Sequence, residues 1–195
     1  MNVLLRKGWH LLGLALPALY YFGLCSKTTT LIAVGAAAAV AIILEVLRFK
    51  SEAVGRVFAA AFRRLMREEE YHTLNATVPY LIATFLVLLI FPKSIAWVAL
   101  VYLALGDVAA YAIGSALGRV RLRAGKTLEG TLGCLAICFA VGCLFVDWRL
   151  ALAGAAAAAT AELLSRGWVD NLTIPVAAGA VMWPLSYFTG IGLLT

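Results

Sequence analysis

Charged side chains stand where apolar ones dominate, and their order suggests phosphate chemistry. Within 105–131, LGDVAAYAIGSALGRVRLRAGKTLEGT, Asp107 lies inside an apolar run and is followed by Arg119, Arg121 and Arg123, then by Lys126-Thr127-x-Glu129-Gly130. A carboxylate deep in an apolar span costs about 2.5–3.5 kcal/mol or more unless it is paired, metal-bound or protonated, so Asp107 marks a place with a use. Arginines at alternating positions would, on an extended chain, project three guanidinium forks to one side, which suits a polyphosphate; the same residues could simply anchor topology. Gly125-Lys126-Thr127 invites comparison with a P-loop, but GxxxxGK[ST] requires glycine where this chain has Val120, and no strand precedes it, so that fold is excluded. The physics carries over. Glycine lets backbone approach phosphate, Lys126 supplies a point charge, and N–H groups at the next helix start favour an anion. Glu129 is near enough to Thr127 in sequence to hold a Mg²⁺ that the phosphates share.

Other polar residues fall near the ends of apolar runs. Glu45 and Arg48, at i and i+3, have the spacing of an internal ion pair. Glu162 closes one run and Asp170-Asn171 opens the next; an Asp-Asn pair between helices is commonly a turn or an N-cap. On the same side as Asp107 and Glu129 these acids form a candidate metal site, with Asp107, Glu129 and Asp170 as the expected ligands. Arg6-Lys7-x-x-His10 places His10 about one turn into the first run, where a polar interfacial anchor is the simpler role. His72 has no evident partner. Cys134, Cys138 and Cys143 share one run and Cys25 stands alone, so neither a disulfide framework nor a zinc spacing is available.

The elements that must position these residues are membrane spans. The chain is 64% hydrophobic and 13% charged, with a mean hydropathy of +0.96, against about 45–50% apolar and about 25% charged for soluble domains. Apolar runs occur at about 8–24, 28–47, 77–91, 95–117, 131–146, 149–164 and 173–193, each near the roughly 20 residues a bilayer requires. The expected fold is an all-α integral membrane protein of about seven transmembrane helices, forming one domain over 1–195. The 149–164 run is the weakest, because its hydrophobicity is mostly alanine. The first run lacks a small-residue cleavage site and reads as a retained helix.

Basic residues set the orientation, since Lys and Arg in short loops stay cytoplasmic. Seven spans put Arg6, Lys7, Arg48, Lys50, Arg56, Arg63, Arg64, Arg67, Arg119, Arg121, Arg123, Lys126 and Arg166 on one side, and Lys27, Lys93 and Arg149 on the other. The N-terminus and the candidate site are therefore expected in the cytoplasm. The +6 net charge reads as topology plus attraction to anionic lipid or nucleotide, not as nucleic-acid binding. Between the second and third runs, Val54, Val57, Phe58, Ala61, Phe62, Leu65 and Met66 recur at helical spacing with Arg56, Arg63, Arg64 and Arg67 elsewhere, as in an amphipathic helix lying in the interface. Gly106, Ala110, Gly114 and Gly118 form a small-residue stripe that permits close helix approach, within one chain or between two, so an oligomer is open.

The whole pattern resembles the CTP-dependent lipid-alcohol kinases, the family of dolichol, polyprenol and phytol kinases and the CTP-using diacylglycerol kinase. The resemblance runs through Arg6, Lys7 and His10, Glu45 and Arg48, Gly106-Asp107 with Ala110, Gly114 and Gly118, Lys126-Thr127-x-Glu129-Gly130, then Glu162, Asp170-Asn171 and Pro175. It covers nearly the whole chain in order, and the length is closer to the short phytol-kinase-like members. It implies transfer of the γ-phosphate of CTP to a membrane lipid's hydroxyl, with Mg²⁺. CDP-diacylglycerol synthases have a similar Asp helix, basic loop and Lys-Thr-x-Glu-Gly, but also a later Gly-His-Gly-Gly and Asp-Arg-x-Asp-Ser. This chain has Asp170-Asn171-Leu172-Thr173-Ile174-Pro175 instead, which favours the kinase.

The expected enzyme is a multi-pass kinase, in the cell membrane of a prokaryote or in an endoplasmic-reticulum or plastid membrane otherwise. CTP, a lipid alcohol and membrane lipids are its partners. Lys126, Arg119, Arg121, Arg123, Thr127 and Gly130 are expected at the nucleotide, with Asn171 as a further contact. Asp107, Lys126 and Glu129 are the candidate catalytic residues, Asp107 as base for the lipid hydroxyl or as metal ligand. Lys7, His10, Glu45, Arg48 and Glu162 support the site. The rival readings are a cytidylyltransferase and, from another class, a small transporter or scaffold.

Overall fold

A computed structural model describes residues 8, 11–62, 70 and 73–190. Lys7, His10 and His72 lie outside the described residues, as do Arg63 to Glu69. Those described are helical except for turns and one isolated bridge between Arg121 and Thr127. The helices are α1 (Ala15–Tyr21), α2 (Lys27–Lys50), α3 (Glu52–Phe62), α4 (Thr77–Ile90), α5 (Lys93–Val101), α6 (Asp107–Leu117), α7 (Leu128–Gly142), α8 (Trp148–Leu164) and α9 (Asp170–Thr189).

Among the described residues, three rods are long and apolar enough to cross a membrane: the 24-residue α2, the continuous 25-residue Lys93–Leu117 and the 20-residue α9. α4 and α7 are apolar but shorter; at about 1.5 Å per residue such lengths fall short of a hydrocarbon core about 30 Å thick. Of the expected 8–24 run, Ala15–Tyr21 forms an α-helix. α2 starts where the Ser26 hydroxyl accepts the Thr29 N–H at 3.1 Å, an N-cap. Its outer face is apolar, with Ile32 67% and Val40 56% exposed, the reverse of a soluble surface helix. No residue of α3 is buried, as expected of a helix lying at the edge of the bundle. Its expected continuation to Met66 is outside the described residues.

The rod Lys93–Leu117 is the central element, and every residue of α5 after Lys93 is buried. Between α5 and α6, Tyr102–Gly106 forms a π-helical segment, a local widening often found at functional sites. It ends immediately before Asp107. The Tyr102 hydroxyl donates to the Ala151 carbonyl of α8 at 3.0 Å, and the Tyr102 carbonyl accepts the Cys138 thiol of α7 at 3.8 Å. Gly154 leaves room for this ring, since a Cβ there would lie 2.6 Å from the Met182 sulfur and 3.1 Å from Tyr102 Cε2.

The glycine stripe packs within the chain. A Cβ on Gly106 would meet Cys138 Sγ at 2.8 Å and Cys134 Sγ at 2.9 Å, and one on Gly114 would meet Thr127 Oγ1 at 2.8 Å. Gly130, on the facing helix, would bring a Cβ to 2.7 Å from the Ala110 carbonyl oxygen. α6 and α7 thus cross with backbones nearly touching, which fixes the loop between them. α8 and α9 form the next antiparallel pair, joined through Gly167 at φ +66°, and α9 also packs on α4 and α5.

Candidate active site

The Lys126-Thr127-x-Glu129-Gly130 motif divides into four separate jobs. Thr127 is the N-cap of α7: its side chain is buried and accepts the Gly130 N–H at 3.1 Å. Gly130 allows the crossing with Ala110 and Gly114. Glu129 reaches back across the loop, accepting the Val120 N–H at 3.2 and 3.3 Å on its two oxygens. Its own N–H first, then those of Val120 and Arg119 and the Arg119 charge, outweigh desolvation and hold its carboxyl below the usual carboxylate range. This residue lies before the apolar run that begins at Thr131. Lys126 alone is turned toward the acids of other helices.

The loop that carries Lys126 is narrow. Leu128 N–H donates to the Val120 carbonyl at 3.0 Å and Leu122 N–H to the Lys126 carbonyl at 2.8 Å. Arg123–Gly125 forms a 3-10 turn, closed by Gly125 at φ +76°, a left-handed conformation that glycine adopts without cost. The extended geometry that would align three arginines ends at Leu122, so Arg123 belongs to the turn and not to the row begun by Arg119 and Arg121. All three are exposed.

Two carboxylates meet at Lys126, and a third lies near them. Its ammonium stands 2.9 Å from Glu162 Oε1 and 3.5 Å from Asp170 Oδ2, and it also donates to the Glu162 main-chain carbonyl. Asp107 is near enough that its charge, with that of Asp170, acts on Glu162. Glu162 lies at the C-terminal end of α8, where the helix dipole disfavours an anion, and Asp170 at the start of α9, where it favours one. Lys126 offsets the first and bridges both. Glu162 is 6% exposed, and its Oε2, with Asp170 Oδ1, is buried without a hydrogen-bond partner. Buried carboxylate oxygens left bare are costly, so the cluster has capacity for a further donor or cation. Among the described residues, no three His, Cys, Asp or Glu side chains are grouped closely enough to hold a metal ion.

A second polar centre supports the first. Arg48 forms a bidentate pair with Glu45, Nε to Oε2 at 2.9 Å and Nη2 to Oε1 at 2.6 Å. Both are buried. The remaining Arg48 donors reach the carbonyls of Glu70 and Thr73, each at 2.8 Å, and Glu45 accepts the Asn75 N–H at 2.6 Å. The pair therefore holds the chain entering α4. Asn171, expected at the nucleotide, is 3% exposed and donates its amide to the Ala76 carbonyl at 3.0 Å. It ties the start of α9, and with it Asp170, to that same segment.

The structure thus brings Asp107, Lys126, Glu162 and Asp170 together, and leaves Glu129, Thr127, Gly130, Asn171, Glu45 and Arg48 in the framework around them. Glu162 has a more central position than its sequence context suggests. Its one signal was an acid at the end of an alanine-rich run, eight residues before Asp170.

This is an all-helical protein with apolar rods and a half-buried acid–lysine cluster beside an exposed arginine loop. It is 27% identical over 161 residues to CTP-dependent diacylglycerol kinase 1 of Schizosaccharomyces pombe, covering 71% of this chain and 73% of that one. It is 27% identical over 177 residues to CTP-dependent diacylglycerol kinase 1 of Eremothecium gossypii, covering 76% of this chain and 56% of that one. The second of these relatives is thus matched over little more than half its length. The chain is related to the CTP-dependent lipid kinases, the family its motifs resemble. No family model matches it, and no solved structure does.

Proposed function

We propose that this protein is a CTP-dependent lipid kinase, transferring the γ-phosphate of CTP to the hydroxyl of a membrane lipid, with diacylglycerol the first candidate and polyprenol or phytol the others. The observation that carries this is the Lys126 cluster: a half-buried lysine paired with acids from two helices, with Asp107 of a third close by, in the loop that carries Arg119, Arg121 and Arg123. The relatedness to kinases named for CTP and diacylglycerol supports it. The seven-span arrangement, with the N-terminus and this loop cytoplasmic, belongs to the same reading, because a soluble nucleotide then meets a lipid hydroxyl at the interface without either changing phase.

Phosphoryl transfer depends chiefly on positioning and charge neutralisation. The exposed arginines offer forked donors to the triphosphate, and Lys126 offers a compact charge. Asp107, at the start of α6 and close to the cluster, is placed to accept the proton of the lipid hydroxyl. The residues present fit Mg²⁺, which commonly takes one or two carboxylates and completes its shell with phosphate oxygens and water. Asp170, with its bare Oδ1, is the foremost ligand and Asp107 the second. Glu129, already engaged by the Val120 N–H, serves in this proposal to hold the loop closed. When bound, the cation neutralises charge on the transferring phosphoryl group.

The test is incubation of purified protein with CTP labelled at the γ-phosphate and a panel of diacylglycerol, polyprenol and phytol. Label in a lipid is the expected result. Label in pyrophosphate alone indicates a cytidylyltransferase. Full retention of activity in both Lys126→Ala and Glu129→Ala removes the site assignment.

A further inference from the structure

We propose that Lys126 is a resting counter-ion that occupies the acidic cluster until nucleotide withdraws it, so that nucleotide and divalent cation bind cooperatively and neither binds well alone. This rests on the reading of the cluster as a nucleotide site. An ammonium has three N–H donors and no acceptor. Three protein oxygens surround this one: Glu162 Oε1 at 2.9 Å, Asp170 Oδ2 at 3.5 Å and the Glu162 main-chain carbonyl. A lysine so engaged has its charge already matched by two carboxylates, one in hydrogen-bond range and one at ion-pair distance. To serve a phosphate fully, it must release part of this set.

Release changes what the acids require. Glu162 is buried, at 6% exposure, and it already has one bare oxygen, as has Asp170. Without the ammonium, two adjacent carboxylates in a poorly hydrated pocket, with Asp107 acting on Glu162, would face one another uncompensated, which is strongly unfavourable. A dication arriving with the phosphates meets that need. With Lys126 in place, its positive charge on the same two carboxylates repels the dication. Glu162 thereby becomes a cation ligand alongside Asp170, and the exchange makes binding reciprocal: whatever factor CTP adds to cation affinity, the cation adds to CTP affinity.

Mn²⁺ binding followed by electron paramagnetic resonance in detergent tests this, with and without CTP. In the wild type, CTP should tighten Mn²⁺ binding by at least about tenfold, within the usual range of site coupling. Lys126→Gln should bind Mn²⁺ without CTP at least about tenfold more tightly than wild type and lose most of the CTP effect, whereas Lys126→Arg should stay weak. Glu162→Gln, which loosens the hold on Lys126, should bind CTP in EDTA more tightly than wild type, and gives a reading even where Lys126→Gln fails to fold. The proposal is overturned if Mn²⁺ binds wild type equally with and without CTP. It is also overturned if Lys126→Gln binds Mn²⁺ no better than wild type, or if Glu162→Gln binds CTP no better in EDTA. Lipid labelling from γ-labelled CTP together with any of these failures sinks the exchange and leaves the kinase reading standing. CTP-coupled Mn²⁺ binding with no label in any lipid does the opposite.

Discussion

At the scale of single residues, the chemistry of a short motif separates into unlike tasks once each atom's partner is known. Lys126 meets acids from other helices, whereas Thr127, Glu129 and Gly130 build the turn that presents it. Glu129 makes a pH-dependent contribution that can be isolated. Its carboxyl is held below the usual range, so its stabilisation is present above the unfolded carboxylate value of about 4.3 and is lost as pH falls through the lower folded value. The thermal midpoint of wild type should therefore exceed that of Glu129→Gln at neutral pH, and the difference should disappear as the solution is acidified below that range. A difference that persists unchanged to the acid end contradicts the Val120 clasp.

At the scale of elements, two contacts decide where the cluster can form. The α6–α7 crossing leaves no room for a side chain at Gly130, where a Cβ would stand 2.7 Å from a backbone oxygen that cannot rotate aside. Gly130→Ala should destabilise by about 1–3 kcal/mol, as overpacking does, and should open the 118–128 loop to protease; denaturation and limited proteolysis in detergent measure both. The Glu45–Arg48 pair acts at a distance, through the carbonyls of Glu70 and Thr73 and the Asn75 N–H, on the segment that Asn171 grips at Ala76. Arg48→Met leaves a buried carboxylate unpaired and should cost about 3–5 kcal/mol. Unfolding that is no easier than in wild type would deny the pair its structural role.

At the scale of the whole molecule, the expected orientation places 118–130 and the 165–170 turn in the cytoplasm and the Asp147 turn outside. In a variant without native cysteines, a membrane-impermeant maleimide applied to intact cells should label Asp147→Cys and spare Arg123→Cys until the membrane is permeabilised. The reverse pattern inverts the orientation, and equal labelling of both rejects a single topology.

Much of this architecture was legible along the chain, because hydropathy and charge are local properties. Apolar runs recur with the lengths helices need, and the i, i+3 spacing of Glu45 and Arg48 allows no more natural partner than each other, whereas the capping roles of Ser26 and Thr127 emerged only from the structure. The small-residue stripe announced a close crossing but not its partner, because a small residue at every fourth position says only that there is room for something to approach; contact with Thr127, Gly130, Cys134 and Cys138 settled which helix does. The π segment before Asp107 was invisible, since it arises from how α5 and α6 fit around Tyr102, Cys138 and Ala151. Glu162 and Lys126 are thirty-six residues apart, and no periodicity links them. Their meeting follows from the order in which α7, α8 and α9 pack, which places the end of one helix, the start of another and a glycine-closed loop around a single ammonium.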